Sequence, residues 1–288
     1  MEANELKDHL LHEIFKAIGL EFSLSITKVL QPMFEPAAGR FAELAVKFDR
    51  DVRTYGFNEA SRRWLPLFTG HIRVTGTNWV PLQGPLLILS NHPGTYDSLI
   101  IASSLPRSDL KIIASGVPFL RDLASTADYL IFSSPNPSER VKVVREAIRH
   151  LQRGGMVLIF PSGGIDPDPE VMPQALDALE TWSPSLEVLL RRVPSTRILV
   201  TMVSGVLHAG WIHHPIIHLR RGRRNQQRVA EFFQVMQQTL FPNSLSISPL
   251  VSFAEPILMP SDTNLQSLAA IIASAKEHFK TVVTQIRR

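Results

Sequence analysis

Two different spacings of apolar residues divide the chain near residue 69. Before that point, apolar side chains recur every three or four positions, which predicts the buried face of a helix. The clearest example is the set Leu6, Leu10, Ile14 and Ile18. Further helices are predicted over 40–56 and 58–68, so residues 1–68 are expected to form an N-terminal helical subdomain. Its amphipathic faces either pack as a small bundle, which is the favoured interpretation, or lie on a membrane surface.

After residue 69, short β-rich runs alternate with helical segments, and residues 69–288 are predicted to form an α/β domain. The runs are 71–76, 86–90, 111–115, 129–132, 156–160, 197–203 and 245–253. Helices are predicted near 97–105, 138–153, 174–192, 226–240 and 264–287. Strands separated by helices need crossover connections, so we expect a largely parallel central sheet flanked by helices. Ligands of such sheets bind beyond the carboxyl ends of the strands.

Composition narrows the class of protein. Of 288 residues, 44% are hydrophobic and 19% are charged, so a packed core is expected. The chain has no cysteine, which excludes disulfides, thiolate catalysis and cysteine-ligated zinc. Acidic residues interrupt the N-terminal stretch, which therefore does not resemble a signal peptide. The uncharged segment 198–219 contains four histidines, two glycines and Pro215, so we interpret it as a buried strand followed by a loop.

Positive charge is concentrated in one place although the net charge is only +4. The cluster consists of Arg220, Arg221, Arg223, Arg224 and Arg228. Such a cluster suits the phosphate of a small ligand, a lipid head group or a nucleic acid, or it is a solvated surface. No helix-turn-helix, RNP-type or zinc-finger signature is present, so no nucleic-acid partner is expected. Peripheral contact with an anionic membrane, from the cytoplasmic side, remains an expectation.

Two further polar groups raise the question of metal binding. Asp166, Asp168 and Glu170 alternate with prolines in "GGIDPDPE". The segment lacks the glycine turn and distant glutamate of a calcium loop, so a rigid turn with Asp168 capping a helix at Pro169 is favoured. The histidines of "WIHHPIIH" lack a signature spacing. We therefore expect no metal site.

The most informative stretch is "SNHPGTYD", which follows an apolar run and contains His92 and Asp97. Five residues at about 100° each would place the two side chains roughly 140° apart on a helix. They can meet if residues 93–94 form a turn and Thr95 caps a helix that begins near Tyr96. A carboxylate that orients an imidazole makes it a general base. Because no G-x-S-x-G nucleophile is present, the nucleophile would be a hydroxyl of the substrate.

Several motifs together resemble those of the glycerolipid acyltransferase superfamily, which includes lysophosphatidic acid and glycerol-3-phosphate acyltransferases. "SNHPGTYD" resembles the N-H-x4-D block, and "PLQGPLLILSNH" resembles its usual lead-in. "LQRGGMVLIFPSGG" is similar to the block that ends in F-P-E-G-T, and "RILVTMVSGV" takes the place of a later strand. The resemblance covers roughly residues 70–255.

The resemblance implies an enzyme of phospholipid biosynthesis that carries out O-acyl transfer. His92 would be the general base and Asp97 its partner. The acyl group would come from acyl-CoA or an acyl carrier protein, and the acceptor would be a glycerophospholipid precursor or a related alcohol. No cofactor is implied beyond this thioester co-substrate. Amides around Gly94, or around Gly163 and Gly164, would stabilise the oxyanion.

The sequence departs from the superfamily at the second turn, where F-P-E-G-T-R is replaced by residues 160–165, "FPSGGI". The glutamate, the threonine and the arginine are missing here, and Ser133 and Ser134 stand where another block of the superfamily commonly ends its strand with an arginine. Acceptor recognition is therefore expected to differ, with Arg140 or the arginine cluster binding phosphate instead. The implied substrate-binding residues are Gly94, Thr95, Arg140, Phe160, Pro161, Ser162, Gly163 and Gly164. The alternative is an altered relative that binds acyl chains or lipid head groups without turnover.

Overall fold

The computed structural model describes residues 3–19, 24–115, 118–134, 136–258 and 267–286. The strands are β1 (Arg73–Thr75), β2 (Leu86–Ser90), β3 (Leu110–Ser115), β4 (Leu130–Ser133), β5 (Met156–Ile159), β6 (Arg197–Ser204), β7 (Leu250–Phe253) and β8 (Ile257–Leu258). The helices are α1 (Ala3–Ile18), α2 (Leu24–Tyr55), α3 (Phe57–Trp64), α4 (Asp97–Ser104), α5 (Ala124–Ala127), α6 (Pro137–Gln152), α7 (Ala175–Ala178), α8 (Leu186–Arg192), α9 (Ala209–Ile212), α10 (Arg223–Leu240) and α11 (Ser267–Ile286).

The strands form one sheet in the order β1-β7-β6-β2-β5-β3-β4, with β8 also paired to β6. The five strands from β6 to β4 are parallel, and Leu89 of β2 aligns with Ile159 of β5 and Val200 of β6. β7 and β8 run antiparallel to β6. The predicted largely parallel α/β sheet is therefore confirmed, and β2, which carries the H-x4-D motif at its end, lies near its centre.

Both faces of the sheet are covered, which explains why the strands are continuous apolar runs. Successive side chains of a strand point to opposite faces. Leu86 and Ile88 face a core that includes side chains of the N-terminal helices, α4 and α10. Leu87 and Leu89 face a second core, formed with α6, α8 and α11. β2 is thus held rigidly on both sides, as a strand that positions a reactive side chain should be.

The N-terminal helices pack onto the first of these cores. The apolar residues predicted to line one face of α1 are all buried, and α1 contacts α2 and α10. Packing against other helices was the favoured interpretation of that face. The boundary at residue 69 stays a prediction, because side chains from both parts share one continuous core.

Two helical segments differ from the predictions. The predicted helix begins at residue 40, whereas α2 begins at Leu24 and continues through Pro32 and Pro36, although proline disfavours helix interiors. The predicted helix 174–192 is broken into α7, a short 3-10 turn and α8. Pro184 lies at the break, and the residue before a proline is biased away from helical geometry.

The uncharged segment 198–219 begins in β6 and ends in short helical turns. Residues 198–204 are strand, and α9 and a 3-10 turn over Pro215–Leu219 follow. The predicted buried strand is therefore present, and the predicted loop contains short helices. Among the described helices, none combines the length and apolar character needed to cross a bilayer.

Candidate active site

Two loops at the carboxyl edge of the sheet are joined by a pair of hydrogen bonds. One follows β2 and contains His92, and the other follows β5 and contains Asp166. The His92 amide donates to Asp166 Oδ2 at 3.0 Å, and the Asp166 amide donates to the His92 carbonyl at 2.8 Å. Because β2 and β5 are adjacent and parallel, both motifs lie at the same edge, as the sequence predicted.

The structure brings His92 and Asp97 into direct contact. Asp97 is the first residue of α4 and is fully buried. Its Oδ2 lies 2.9 Å from His92 Nδ1 and also accepts a hydrogen bond of 2.9 Å from the Gly94 amide. Residues 93–96 form the turn that brings the side chains of His92 and Asp97 together. The carboxylate therefore fixes one nitrogen of the ring, and no described residue hydrogen-bonds the other nitrogen, Nε2.

The predicted helix cap by Thr95 is wrong. Tyr96 is the N-cap residue of α4, and its side chain makes no capping hydrogen bond. The Thr95 hydroxyl instead donates to Glu231 Oε1, on α10. A hydroxyl that has a buried carboxylate as its partner is not available to the backbone at the start of α4.

Charges around the His92 ring favour its protonated form. Burial lowers the pKa of His92, but the hydrogen bond to Asp97 and the charges of Asp97, Glu231 and Asp166 outweigh burial and raise it above its usual value. Burial raises the pKa of Asp97 to about 6, against the opposing hydrogen bond from His92. A histidine whose basicity is increased in this way is suited to accept a proton from an alcohol.

The second turn lies against the His92 ring. Phe160 stacks on the imidazole, with ring centroids 4.4 Å apart and an interplanar angle of 22°. Ser162, which replaces the glutamate of the superfamily, donates from Oγ to the Gly164 carbonyl at 2.9 Å. Gly163 has a φ of 66°, and a β-carbon there would meet no other atom within 4 Å. Pro161 is buried, and its carbonyl accepts from the Ser183 amide.

The glycine amides predicted to stabilise an oxyanion differ in how firmly they are engaged. The Gly94 amide is bonded to Asp97, and the Gly163 amide donates to the Phe160 carbonyl at 3.1 Å. The Gly164 amide makes only a long contact of 3.4 Å with Ser162 Oγ. Of these three groups, Gly164 is therefore the one least engaged within the protein.

Arg140 and the arginine cluster have different positions relative to the site. Arg140 is exposed near the start of α6, and its Nε donates to the Ser134 carbonyl. α6 follows β4, which lies three strands away from β2 in the sheet. The ends of β4 and β2 are therefore about 14 Å apart, at roughly 4.8 Å per strand. Arg224 lies at the second turn itself, where a β-carbon on Gly164 would be 3.2 Å from its Nη1. The position of Arg224 therefore makes it a better candidate than Arg140 for binding a phosphate at this site.

Sequence reasoning missed the buried polar residues that support the site. Asn91 is bonded through its side chain to both the amide and the carbonyl of Val203, each at 2.8 Å. It therefore joins the end of β2 to β6. No motif marks such a residue as a bridge, because its partner lies more than a hundred residues away in the sequence.

Asp168 has a different role from the predicted helix cap. It is fully buried, and its carboxylate accepts amide hydrogen bonds from Glu170, Gly205, Val206 and Leu207. Residues 169–171 form a turn, so there is no helix to cap. Three of the four donors belong to the loop after β6, so Asp168 fixes that loop beside the His92 turn. Within the described ranges, no group of three His, Asp or Glu side chains is arranged to hold a metal ion.

Comparison with known proteins bears on the chemistry of this edge. Residues 71–183 match the family model described as Acyltransferase. No curated protein matches the chain significantly. Among solved structures, the chain is similar to the crystal structure of the 1-acyl-sn-glycerophosphate (LPA) acyltransferase PlsC from Thermotoga maritima, with 15% identity and a TM-score of 0.47 over 98% of this chain and 96% of that one.

The matched segment contains both turns described above, from the strand before His92 to the residues beyond Gly164. The resemblance of the motifs to the glycerolipid acyltransferase superfamily is thereby confirmed at the level of the family. Residues 71–183 match an acyltransferase domain, and the chain that contains this match is an acyltransferase.

Proposed function

We propose that the enzyme moves a fatty acyl group from acyl-CoA or an acyl carrier protein to a hydroxyl of a glycerophospholipid precursor or related alcohol. His92 is the general base, and Asp97 orients it. The observation that carries this proposal is the 2.9 Å contact between His92 Nδ1 and a fully buried Asp97. The His92 side chain is itself 30% exposed, so the ring is partly open to a substrate.

The reaction follows from this arrangement. In the neutral ring the Nδ1 proton is directed at Asp97, which leaves the Nε2 lone pair to take the proton of the acceptor hydroxyl. The acceptor oxygen forms a bond with the thioester carbonyl carbon, and the imidazolium that results is stabilised by Asp97. The carbon–sulfur bond then breaks, and His92 returns the proton to the leaving thiolate. The products are an ester and a free thiol.

The Gly164 amide is the favoured donor for the oxyanion of the tetrahedral intermediate. Its contact with Ser162 Oγ is long, so it exchanges a weak bond for a charge-assisted one as negative charge develops. Phe160 covers one face of the His92 ring and holds the plane of the ring in place.

Arg224 supports an acceptor that carries a negative charge. The sequence lacks the arginine of the superfamily's F-P-E-G-T-R block, yet Arg224 brings a guanidinium to the turn at Gly164 from α10. It is exposed, and it makes no hydrogen bond or ion pair with the residues that the structure describes. An arginine in such a position can bind a phosphate oxygen pair in bidentate fashion. We therefore assign it to the acceptor's phosphate.

A lipid acceptor also requires access to a membrane surface. Val29 and Met33, one helical turn apart on α2, are 76% and 61% exposed. These exposed apolar side chains and, separately, the arginine cluster are each suited to peripheral contact with an anionic bilayer on the cytoplasmic side. Co-sedimentation with vesicles that contain or lack anionic lipid tests this contact, and equal recovery with both vesicle types would contradict the electrostatic part.

A product screen tests the proposed function. The purified protein is incubated with acyl-CoA or acyl carrier protein thioesters and a panel of phosphorylated and neutral alcohols, and the esters are identified by mass spectrometry. We expect ester formation to depend on an alcohol. Thioester binding without any ester would instead favour the non-catalytic alternative.

The Arg224→Ala variant tests the choice of acceptor. Loss of a charge-assisted contact of about 1.5–3 kcal/mol raises KM for a phosphorylated acceptor roughly 10- to 100-fold and leaves the KM of a neutral alcohol unchanged. Arg140→Ala is the matched control and should alter neither value. An equal effect of both variants would remove the assignment of Arg224.

A further inference from the structure

The buried face of α10 is polar where an apolar face would be usual. Four residues at helical spacing point into the protein, and each is at least nine-tenths buried: Gln227, Glu231, Gln234 and Gln238. Burial of amide and carboxyl groups is unfavourable unless each finds a hydrogen-bond partner. The hydrogen-bond partners of these four side chains therefore indicate the structural role of this face of α10.

Three of the four residues bind the chain between His92 and Asp97. Gln227 Nε2 donates to the Pro93 carbonyl at 2.9 Å. Glu231 accepts from the Thr95 hydroxyl. Gln238 accepts from the Tyr96 hydroxyl at 3.1 Å. Three of the four residues between His92 and Asp97 are thus held by one helix.

The other contacts of this face extend to the neighbouring loops. Gln227 also donates to the Asp166 carbonyl at 2.6 Å. Gln234 donates to the Val206 carbonyl and accepts from the His208 amide, each at 2.8 Å. The loops after β2, β5 and β6 are therefore all bonded to the same face of α10.

Glu231 is the central member of this set and lies directly beneath the turn. A methyl group at position 94 would be 3.4 Å from Glu231 Oε1 and 3.1 Å from Val206 Cγ2. The turn is thus in close contact with α10, and a side chain at position 94 would require its neighbours to shift. Burial raises the pKa of Glu231, against the opposing hydrogen bond from Thr95.

We propose that Glu231 is a positioning residue, which holds Thr95 and through it keeps Asp97 at hydrogen-bond distance from His92. Thr95 lies midway between the base and its orienting carboxylate, so a shift of the turn moves one relative to the other. The proposal rests on the proposed function, because positioning has meaning only if His92 is the base. Displacements of about 1 Å at a catalytic group lower rates on the order of 100-fold.

Paired variants test the Thr95–Glu231 bond. Thr95→Val has the same shape but lacks the hydroxyl, and Thr95→Ser keeps the hydroxyl. Glu231→Leu removes the acceptor, and Glu231→Gln keeps one. We expect Thr95→Val and Glu231→Leu to lower kcat about 10- to 100-fold with acceptor KM within about twofold. Thr95→Ser and Glu231→Gln should keep kcat within about threefold.

Two comparisons separate positioning from a general loss of stability. Thr201 is also fully buried, and its hydroxyl has no hydrogen-bond partner among the described residues, so Thr201→Val is a matched control that should retain full kcat. The double variant Thr95→Val/Glu231→Leu should lose no more activity than the worse single variant, because the same bond is absent. Additive losses, or full activity of Thr95→Val, would overturn the proposal.

A measurement that does not use turnover distinguishes failure of this proposal from failure of the proposed function. The NMR signal of the His92 Nδ1 proton reports its bond to Asp97. We expect Thr95→Val to move or broaden that signal and Thr95→Ser to preserve it. If the signal responds as expected while His92→Ala retains turnover, the bond between Thr95 and Glu231 still holds Asp97 against His92 as a structural contact, but the role of His92 as base fails. An unchanged signal in Thr95→Val removes the positioning role.

Discussion

Replacement of Asp97 by asparagine tests the electrostatic part of the mechanism. The variant keeps the shape of the side chain and removes its charge. With Nδ1 and Oδ2 2.9 Å apart, the charges of the ring and the carboxylate are about 4 Å apart, and their attraction is about 4 kcal/mol at an effective dielectric constant near 20. Because the imidazolium forms during the reaction, loss of this attraction lowers kcat about 1000-fold.

The pH profile supplies a second and independent result. Burial lowers the pKa of His92, and Asp97 is the main group that raises it. The neutral ring is the base, so kcat/KM of the wild-type enzyme rises as the pH increases through this pKa. Removal of the Asp97 charge lowers the pKa of His92, and the acidic limb of the profile should move to lower pH.

Thiol release is a direct assay for both results. The chain has no cysteine, so a thiol-specific chromogenic reagent detects only the released donor thiol. Asp177 is exposed on α7, and Asp177→Asn is the control for the chemistry of the substitution. In Asp97→Asn the new amide nitrogen would take the place of Asp97 Oδ1, which is buried and has no hydrogen-bond partner among the described residues. Because a buried amide without a partner destabilises a protein, circular dichroism is used to check that the variant is folded. More than a tenth of the wild-type kcat in Asp97→Asn, or a limb that moves to higher pH, would refute the reasoning.

Two further substitutions test the supports of the site. Asn91→Ala leaves the buried amide and carbonyl of Val203 without their partner, and the free energy of unfolding should fall by about 3 kcal/mol; an unchanged midpoint in urea denaturation would contradict this. Phe160→Leu removes a ring stack of about 0.5–1.5 kcal/mol from His92, so kcat should fall roughly 2- to 10-fold with little change in melting temperature, and a full kcat would show that the stack is not used.

The sequence was sufficient to predict the elements that carry local signals. The apolar runs of β2 and β5 predicted two strands buried on both faces, and the turns after them predicted the edge where the site lies. The spacing of His92 and Asp97 required a turn between them, and that turn is present. These predictions succeeded because strand runs, glycine and proline turns, and five-residue spacings are local properties of the chain.

The sequence did not predict the features that depend on contacts between residues far apart in the chain. The reversal of β7 against β6 follows from no local pattern, since a short apolar strand pairs equally well in either direction. Glu231 and Gln227 resemble the solvent-facing side of an amphipathic helix, and only their partners in the His92 turn show that they are buried. For the same reason Thr95 was expected to cap α4.

The comparison of His92→Ala with wild-type enzyme tests the central claim most directly. Ester product is quantified by mass spectrometry at saturating donor and acceptor, and thermal unfolding confirms that the variant is folded. His12, exposed on α1, provides the control variant His12→Ala. We predict that His92→Ala loses at least about three orders of magnitude in turnover, while His12→Ala retains wild-type turnover. Ester formation by folded His92→Ala at the wild-type rate would contradict the account.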